Sequence, residues 1–276
     1  MPEGPEIRRT AESLADVLLG ETVLDFAATA RRWRRSPWAE RIIGQPVTAI
    51  DTHGKNILIH IGQDIVLYSH LMMWGRWRTF PPDADVPDDR RVRAWLRTRR
   101  GLAVLYNGPV FEIMSPQEAA HHTRLTTLGP DVLAEPFDRA EFLARLAHPD
   151  AGQLELGEAL LEQRLAAGVG NYLKSEILFT AGLNPYRCVG SLTEAERERL
   201  ARHIPRLARR AYVTGGMTVS PGLARVWRAA GGNWYDYHHY VYRRSKRACR
   251  RCGALIQGKR QGQHNRLTYW CPGCQC

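Results

Sequence analysis

The sequence predicts an α+β multidomain protein: an N-terminal antiparallel β-sandwich with an N-terminal helix, a helical middle region and a C-terminal β-hairpin. Three observations predict this class. Apolar residues first recur at helical spacing, short β-branched and aromatic runs then alternate with turn residues, and two Cys-x-x-Cys pairs lie near the C-terminus. At 276 residues the chain is long enough for separate hydrophobic cores.

The first predicted element is a helix that begins near Ile7 and ends at Gly20, because apolar residues recur there every three or four positions. The region from Thr22 to about Met114 then carries strand-like runs separated by Gly, Asp and Asn turns. The clearest runs are residues 56–61, 65–68 and 102–106. Such a series of short strands favours an antiparallel sandwich.

A break at Leu128-Gly-Pro-Asp131 precedes a region dominated by helical patterns. Those patterns cover residues 139–146, 156–167, 172–181 and 194–213. The expected domains are therefore an N-terminal domain at 1–130, a helical domain at 131–235 and a C-terminal hairpin domain at 236–276.

The charge of the chain favours a polyanionic partner. The formal net charge is +11, and no acidic residue follows Asp236, whereas arginines and lysines surround the C-terminal cysteines. Neutralising phosphates releases counterions, so nucleic acid is the leading candidate. No apolar run approaches the length of a membrane span, and no signal peptide is visible. We expect a monomeric, cytoplasmic protein, associated with the nucleoid if it is bacterial.

Four cysteines form a candidate metal site. Cys249 and Cys252 make one pair and Cys271 and Cys274 the other, separated by eighteen residues. This spacing lets four thiolates close a tetrahedral Zn²⁺ site on a hairpin, with no open position for water, so one structural zinc ion is predicted. The alternatives are two disulfides or unpaired thiols.

Pro2 and Glu3 form a candidate covalent catalyst. Removal of Met1 would leave Pro2 as an N-terminal secondary amine, which can form an iminium with a sugar aldehyde carbon. Glu3 places a carboxylate beside that amine. The alternative is a terminus without chemistry, because a small second residue is common.

Gly168 and Gly170 interrupt two helical patterns just before Asn171. Glycine lets backbone amides come close to a ligand, and a helix N-terminus favours anions. The amides after Gly170, with the Asn171 side chain, are predicted to hold a phosphate. The alternative is a plain helical hairpin in which Asn171 is the N-cap residue.

Other segments offer weaker signals for nucleic acid. Met72, Met73 and Trp74 concentrate large apolar side chains in a turn, where they could wedge between bases or simply be core. Lys55 begins a strand, and Arg266 lies in the hairpin between the cysteine pairs. The Lys55 ammonium could point from the sheet edge towards the N-terminus, and Arg266 could enter a groove or bind a phosphate, with exposed, solvated side chains as the alternative. For the arginine-rich segment 31–35, a solvated loop is favoured over phosphate contact.

Taken together, these motifs resemble the formamidopyrimidine-DNA glycosylase and endonuclease VIII family of base-excision repair. The similarity runs nearly end to end. It covers Met-Pro-Glu-Gly-Pro-Glu-Ile at 1–7, Gly54-Lys55, residues 69–71, 128–131, 168–178 and 182–185, and Tyr-Trp-Cys-Pro-Gly-Cys at 269–274. The opening and the ending look like the endonuclease VIII branch.

The resemblance implies a β-sandwich, a helix-two-turn-helix domain and a zinc finger, with damaged or abasic double-stranded DNA as partner. Pro2 would attack C1′ of a flipped nucleotide as the base leaves, and the Schiff base would permit β,δ-elimination. The roles implied for other residues are acid/base catalysis by Glu3 with Glu6 in support, and DNA-backbone contacts by Lys55, Asn171 with the amides after Gly170, and Arg266.

The resemblance departs from its pattern in one loop. Endonuclease VIII typically carries a Gln-Leu-Tyr wedge, whereas this chain has Met72-Met73-Trp74, and Leu71-Met72-Met73 is closer to the formamidopyrimidine branch. Oxidised pyrimidines are the hypothesised substrates, with oxidised purines second. Two other classes stay open: a noncatalytic zinc-finger protein that binds DNA damage, and an RNA-directed factor.

Overall fold

The computed structural model describes residues 2–30, 33, 37–263 and 265–276, which form two compact units. The first contains residues 2 and 7–126, and the second contains residues 3–6 and those after 126. The predictions for Met1 and for the arginines at 31, 32, 34 and 35 lie outside the described residues. No helix among the described residues is long and apolar enough to cross a membrane.

The helices and strands follow the chain in an α+β order. The helices are α1 (Gly4–Leu18), α2 (Trp38–Ile42), α3 (Pro116–Ala120), α4 (Thr123–Thr126), α5 (Arg139–Leu146), α6 (Pro149–Gly152), α7 (Leu156–Ala159), α8 (Asn171–Ala181), α9 (Glu194–Val213), α10 (Pro221–Ala229) and α11 (Trp234–His238). The strands are β1 (Asp25–Ala28), β2 (Val47–His53), β3 (Asn56–Ile61), β4 (Ile65–His70), β5 (Arg76–Phe80), β6 (Val92–Arg97), β7 (Leu102–Tyr106), β8 (Val110–Met114), β9 (Gln257–Gln261) and β10 (Arg266–Trp270).

The first unit is the predicted antiparallel sandwich. One sheet has the strand order β1-β6-β7-β5 and the other β2-β3-β4-β8, and every pairing is antiparallel. Inward side chains of both sheets, such as Leu96 and Ile59, share one core cluster with Ile7 and Leu14 of α1. The apolar residues of the N-terminal helix and the inward residues of the strands therefore pack in one core, which confirms the predicted fold class.

In the second unit, α5, α8 and α9 enclose a core of aliphatic side chains. Helix α9 matches its predicted bounds and starts with a capping box between Thr193 and Glu196. The prediction of a helix over 156–167 is wrong beyond Ala159. There the Gln163 side chain binds the backbone of Leu161, Gly168 and Val169, which holds the segment in turns.

The C-terminal hairpin pairs β9 with β10, from Arg266 opposite Gln261 to Trp270 opposite Gln257. Its metal-binding end shares a small core with Phe179 of α8. Glu176, also on α8 and fully buried, fastens the chain before the hairpin. Its carboxyl group accepts hydrogen bonds from the hydroxyl of Thr218 and from the backbone amides of residues 240, 241 and 242. The division of this unit at residue 235 remains a prediction.

Candidate active site

Glu3 is held at the N-terminus of helix α8. Its side chain is buried, and Oε2 accepts hydrogen bonds from the amides of Gly170 at 2.8 Å and Leu173 at 3.1 Å. Oε1 accepts one from the amide of Tyr172 at 2.8 Å. Amides at the positive end of a helix stabilise a negative charge. Glu3 is therefore fixed in one orientation as a carboxylate, directly after Pro2, which is partly buried.

Three of the amides at this turn are used by Glu3, and phosphate binding at the Asn171 amide and side chain stays a prediction. The amides of Gly170, Tyr172 and Leu173 bind Glu3, so the anion at this helix N-terminus belongs to the chain itself. Glycine is needed at position 170 because a side chain would not fit there. The backbone conformation does not require it, since a φ of −128° is open to any residue. A Cβ at this position would lie 2.3 Å from Cδ of Glu3.

Glu6 secures the same short segment. Its Oε2 accepts the amide N–H of Glu3 at 3.0 Å, and its Oε1 accepts the hydroxyl of Tyr172 at 3.1 Å. The amide of Gly4 donates to the carbonyl of Gly168 at 2.9 Å. Residues 3–6 are thus fastened at three points, and Tyr172 was not identified from the sequence. The Asn171-Tyr172 pair directly after the glycines is the sequence feature that could have pointed to Tyr172.

Asn171 is the first residue of α8, and Gly170 is the N-cap, so the alternative with Asn171 as the N-cap is wrong. The Asn171 side-chain Nδ2 donates to the carbonyl of Leu267 on β10 at 2.9 Å, while its buried Oδ1 has no hydrogen-bond partner among the described residues. Asn171 thereby ties the helix to the hairpin that carries Arg266. Its predicted phosphate contact remains a prediction.

Lys174 is a buried cation that the sequence reasoning passed over. It has no exposed surface, and its Nζ donates to Oγ1 of Thr268 at 2.7 Å. Thr268 donates in turn to Oε1 of Gln261 at 2.8 Å. Burial lowers the pKa of Lys174 to about 8, with an opposing effect of Glu3 and a further lowering by Arg266. A lysine within the otherwise apolar pattern of helix α8 is the sequence feature that could have indicated a buried cation.

Arg266 lies at the start of β10 and is partly exposed. Its side chain forms no hydrogen bond or ion pair with any residue that the structure describes. Its positive charge acts on Lys174. Arg266 is therefore a charged group on a well-anchored hairpin, open to an anion from outside.

In the first unit, Lys55 occupies the turn between β2 and β3, one residue before the strand. Its side chain is buried rather than exposed, which corrects the exposed alternative. His70 lies at the end of β4, paired with Asn56 across the sheet. Burial, together with smaller contributions from the positive charges of Lys55 and Arg124, lowers the pKa of His70 to about 4, so its imidazole is neutral at pH 7.

The turn after β4 exposes the three candidate wedge residues. Met72, Met73 and Trp74 are 39%, 44% and 79% exposed, so the core alternative is wrong. Met72 has a positive φ of 50°, and its amide donates to Nδ1 of His70 at 3.2 Å. The neutral histidine thus supports the backbone of a loop whose large apolar side chains face solvent. This role of His70 was not predicted from the sequence.

The four cysteines come together at the base of the hairpin. Their sulfur atoms all lie within 4.8 Å of one another, with 3.4 Å between Cys252 and Cys271 and 3.9 Å between Cys249 and Cys274. A disulfide needs about 2.05 Å, so the disulfide alternative does not fit. Four thiolates at 2.3 Å around a tetrahedral ion stand about 3.8 Å apart. The cluster can hold one metal ion.

Comparison with known proteins places the chain in a family. Residues 1–109 match the model of the formamidopyrimidine-DNA glycosylase N-terminal domain, and residues 128–221 that of the formamidopyrimidine-DNA glycosylase H2TH domain. The chain is 34% identical to Endonuclease 8 of Klebsiella pneumoniae and 32% identical to Endonuclease 8 of Escherichia coli, each over the full length of both chains.

Solved structures support the same family assignment. The chain is similar to Lactococcus lactis Fpg (MutM) in complex with DNA containing N7-benzyl-Fapy-dG, and to the same protein in complex with DNA containing an oxidised pyrimidine. In both cases the identity is 26%, the match covers 99% of each chain, and the TM-score is 0.81. The predicted resemblance is confirmed: the chain belongs to the formamidopyrimidine-DNA glycosylase family.

Proposed function

We propose that the protein is a bifunctional DNA glycosylase and AP lyase of base-excision repair, with Pro2 as its nucleophile. The observation that carries this proposal is the placement of Glu3. A carboxylate fixed by three backbone amides directly after Pro2 is suited to proton transfer at a reacting amine. A noncatalytic DNA-binding protein would leave Pro2 and Glu3 without a chemical role.

The proposed chemistry starts after Met1 has been removed. The neutral Pro2 amine, available because an α-amino group has a pKa near 8, attacks C1′ of the flipped nucleotide. The bond from C1′ to the base breaks, and the base leaves with the electron pair. Glu3 accepts the proton released by Pro2 and delivers it to the ring oxygen as the sugar opens. The resulting iminium acidifies the C2′ hydrogens, which permits β-elimination at the 3′ side and then δ-elimination at the 5′ side.

Contacts with damaged DNA follow from the remaining site residues. Lys55, Asn171 and Arg266 are proposed to bind backbone phosphates, and Met72, Met73 and Trp74 to fill the stack that the flipped nucleotide leaves. The exposure of these three apolar side chains supports the wedge. Oxidised pyrimidines are proposed as the preferred substrates and oxidised purines as the second class, because the opening and the ending of the chain resemble the endonuclease VIII branch. We propose a cytoplasmic location, with association with the nucleoid if the protein is bacterial.

The metal is proposed to be one structural Zn²⁺ ion bound by Cys249, Cys252, Cys271 and Cys274. The sulfur–sulfur distances suit a closed four-thiolate site, which leaves no position for water or substrate. The ion would hold the base of the hairpin together and take no part in the chemistry. Its contribution would be to keep Arg266 in place.

Borohydride trapping tests the proposal. The purified protein is incubated with duplexes that carry thymine glycol, 8-oxoguanine or an abasic site, and a covalent protein–DNA band is expected with each cleaved substrate. The band should disappear in Pro2→Gly, and the strongest cleavage is expected with thymine glycol. Mass spectrometry of the N-terminus accompanies the assay, because retained Met1 would block the amine.

Two results would contradict parts of the proposal. Tight binding of the abasic duplex with a free Pro2 but no trapped band would leave only a noncatalytic DNA-damage-binding protein. Faster cleavage of the 8-oxoguanine duplex than of the thymine glycol duplex would reverse the proposed substrate order.

A further inference from the structure

A pocket lies on the second unit. None of the residues proposed above for the active site line it. Its volume is about 270 Å³, and it is formed by Phe179, Leu223, Trp227, Tyr240, Arg250 and Arg251. Three aromatic rings and two guanidinium groups thus share one small cavity. This combination is typical of sites that bind a planar, negatively charged ligand.

The two arginines are held by rings and not by carboxylates. The guanidinium carbon of Arg250 lies 4.5 Å from the ring centre of Trp227, and that of Arg251 lies 4.5 Å from the ring centre of Phe179. Tyr240 stacks on Phe179 and meets Trp227 edge-on, which fixes both platforms. In the described part of the chain, no carboxylate forms an ion pair with Arg250 or Arg251. Their positive charges are therefore held in fixed orientations, and the carboxylate of Asp236 acts on Arg250 only from beyond ion-pair distance.

The positive charge continues from the pocket along helix α9. Burial lowers the pKa of His203 on this helix, and Arg206, Arg202, Arg199 and Arg251 lower it further, so these arginines surround one point. Nε of Arg199 is buried and finds no hydrogen-bond partner within the part of the chain that the structure describes. Among the described residues, none of these arginines has an ion pair. Together with Arg250 they form a basic strip that begins at the pocket.

We propose that the pocket binds one nucleotide of a single DNA strand, with its phosphate at Arg250 and Arg251 and the adjoining backbone along Arg199, Arg202 and Arg206. Its volume suits a single nucleotide. The guanidinium planes and the apolar wall at Leu223 offer stacking and contact for the base, and phosphates supply the missing negative charge. The protein would then hold an unpaired strand while its active site acts on damage elsewhere.

The test measures binding of a fluorescein-labelled undamaged 12-nucleotide single strand to the full-length protein by anisotropy, at several salt concentrations. Arg250→Gln/Arg251→Gln should weaken binding about tenfold, and should reduce the slope of log Kd against log salt by about 0.7, for the one phosphate that these two arginines bind. Arg225→Gln removes an exposed arginine of α10 outside the pocket and serves as the matched control. It should change neither quantity appreciably.

A second variant guards against misfolding next to the cysteines. Leu223→Glu places a negative charge on the partly exposed wall of the pocket without touching the hairpin, and should weaken single-strand binding to a similar degree. Free dAMP should displace the strand from the unaltered protein more effectively than inorganic phosphate does. Cleavage of a lesion duplex by the same preparations should stay within twofold of the unaltered protein, whichever substrate it prefers.

Three results would overturn the proposal: single-strand binding unchanged in both pocket variants, equal weakening by Arg225→Gln, or equal displacement by dAMP, inorganic phosphate and an acidic peptide of matched charge. The last would identify a general anion surface. Because lesion cleavage is measured separately, a failure here is distinguishable from a failure of the glycosylase proposal.

Discussion

A Cβ atom on Gly170 would lie 2.3 Å from Cδ of Glu3. No real Cβ atom tolerates such a distance, so any side chain at position 170 must displace the carboxylate. Gly170→Ala is therefore expected to lower the rate of lesion cleavage by about 100-fold, because a shift of about 1 Å in a catalytic group costs that much. Single-turnover cleavage of an abasic duplex measures it.

Gly222→Ala is the matched control for this prediction. Gly222 lies in α10, and a Cβ there meets nothing within 4 Å. Its variant should cleave at the unaltered rate. Full activity in Gly170→Ala would show that the position of Glu3 does not limit the reaction.

Lys174 should make stability depend on pH in the alkaline range. Its pKa falls from an ordinary value of 10.5 to about 8 in the folded protein, so the unfolded chain binds more protons between these values. The free energy of unfolding should rise with pH across that interval, by about 3 kcal/mol from this group. Below pH 8 both states are protonated and the contribution of Lys174 is constant.

Lys174→Met isolates this effect from the other groups that titrate in the same range. The difference in unfolding free energy between the two proteins, measured by urea denaturation from pH 7 to 10.5, should change by the amount given above. A difference independent of pH would mean that Lys174 keeps its ordinary pKa in the folded state.

Trp74 should contribute to DNA binding and little to stability. Its side chain is 79% exposed, so Trp74→Ala should change the free energy of unfolding by less than about 0.5 kcal/mol. Its loss should weaken binding of an abasic-site duplex about tenfold, since a wedge offsets the cost of unstacking. Leu24→Ala, which alters another exposed apolar residue of the same unit, should leave binding unchanged.

Metal removal should unfold the hairpin first. Cys249 and Cys271 belong to the small core that contains Val241, Ile256 and Phe179, and structural zinc contributes on the order of 10 kcal/mol to folding of comparable peptides. Chelation should therefore abolish amide protection in β9 and β10 and weaken DNA binding, as measured by hydrogen exchange and anisotropy. Cys188→Ser, outside the cluster, should behave like the unaltered protein. Retained protection in the stripped protein would contradict a structural metal.

The sequence predicted the elements whose patterns are locally complete. Helix α1, the strands of the sandwich and helix α9 follow from apolar spacing and capping residues, and the cysteine spacing predicted the cluster. The partner of Glu3 could not be predicted, because 167 positions separate it from Gly170. The glycine-asparagine turn indicated an anion site correctly, but local reasoning cannot tell a phosphate from a distant carboxylate. The helix predicted over 156–167 failed for a similar reason, since the side chain of Gln163 competes with helical hydrogen bonding.

Glu176 holds residues 240–242 through their backbone amides alone, which determines how many side-chain substitutions this segment can accept. An anchor that grips only the main chain sets no condition on the side chains it holds. Tyr240, Val241 and Tyr242 can then be exchanged, as far as their own packing allows, without releasing the segment from helix α8. Residues 240–242 therefore stay attached to helix α8 while their side chains change, so this segment can acquire new binding specificities.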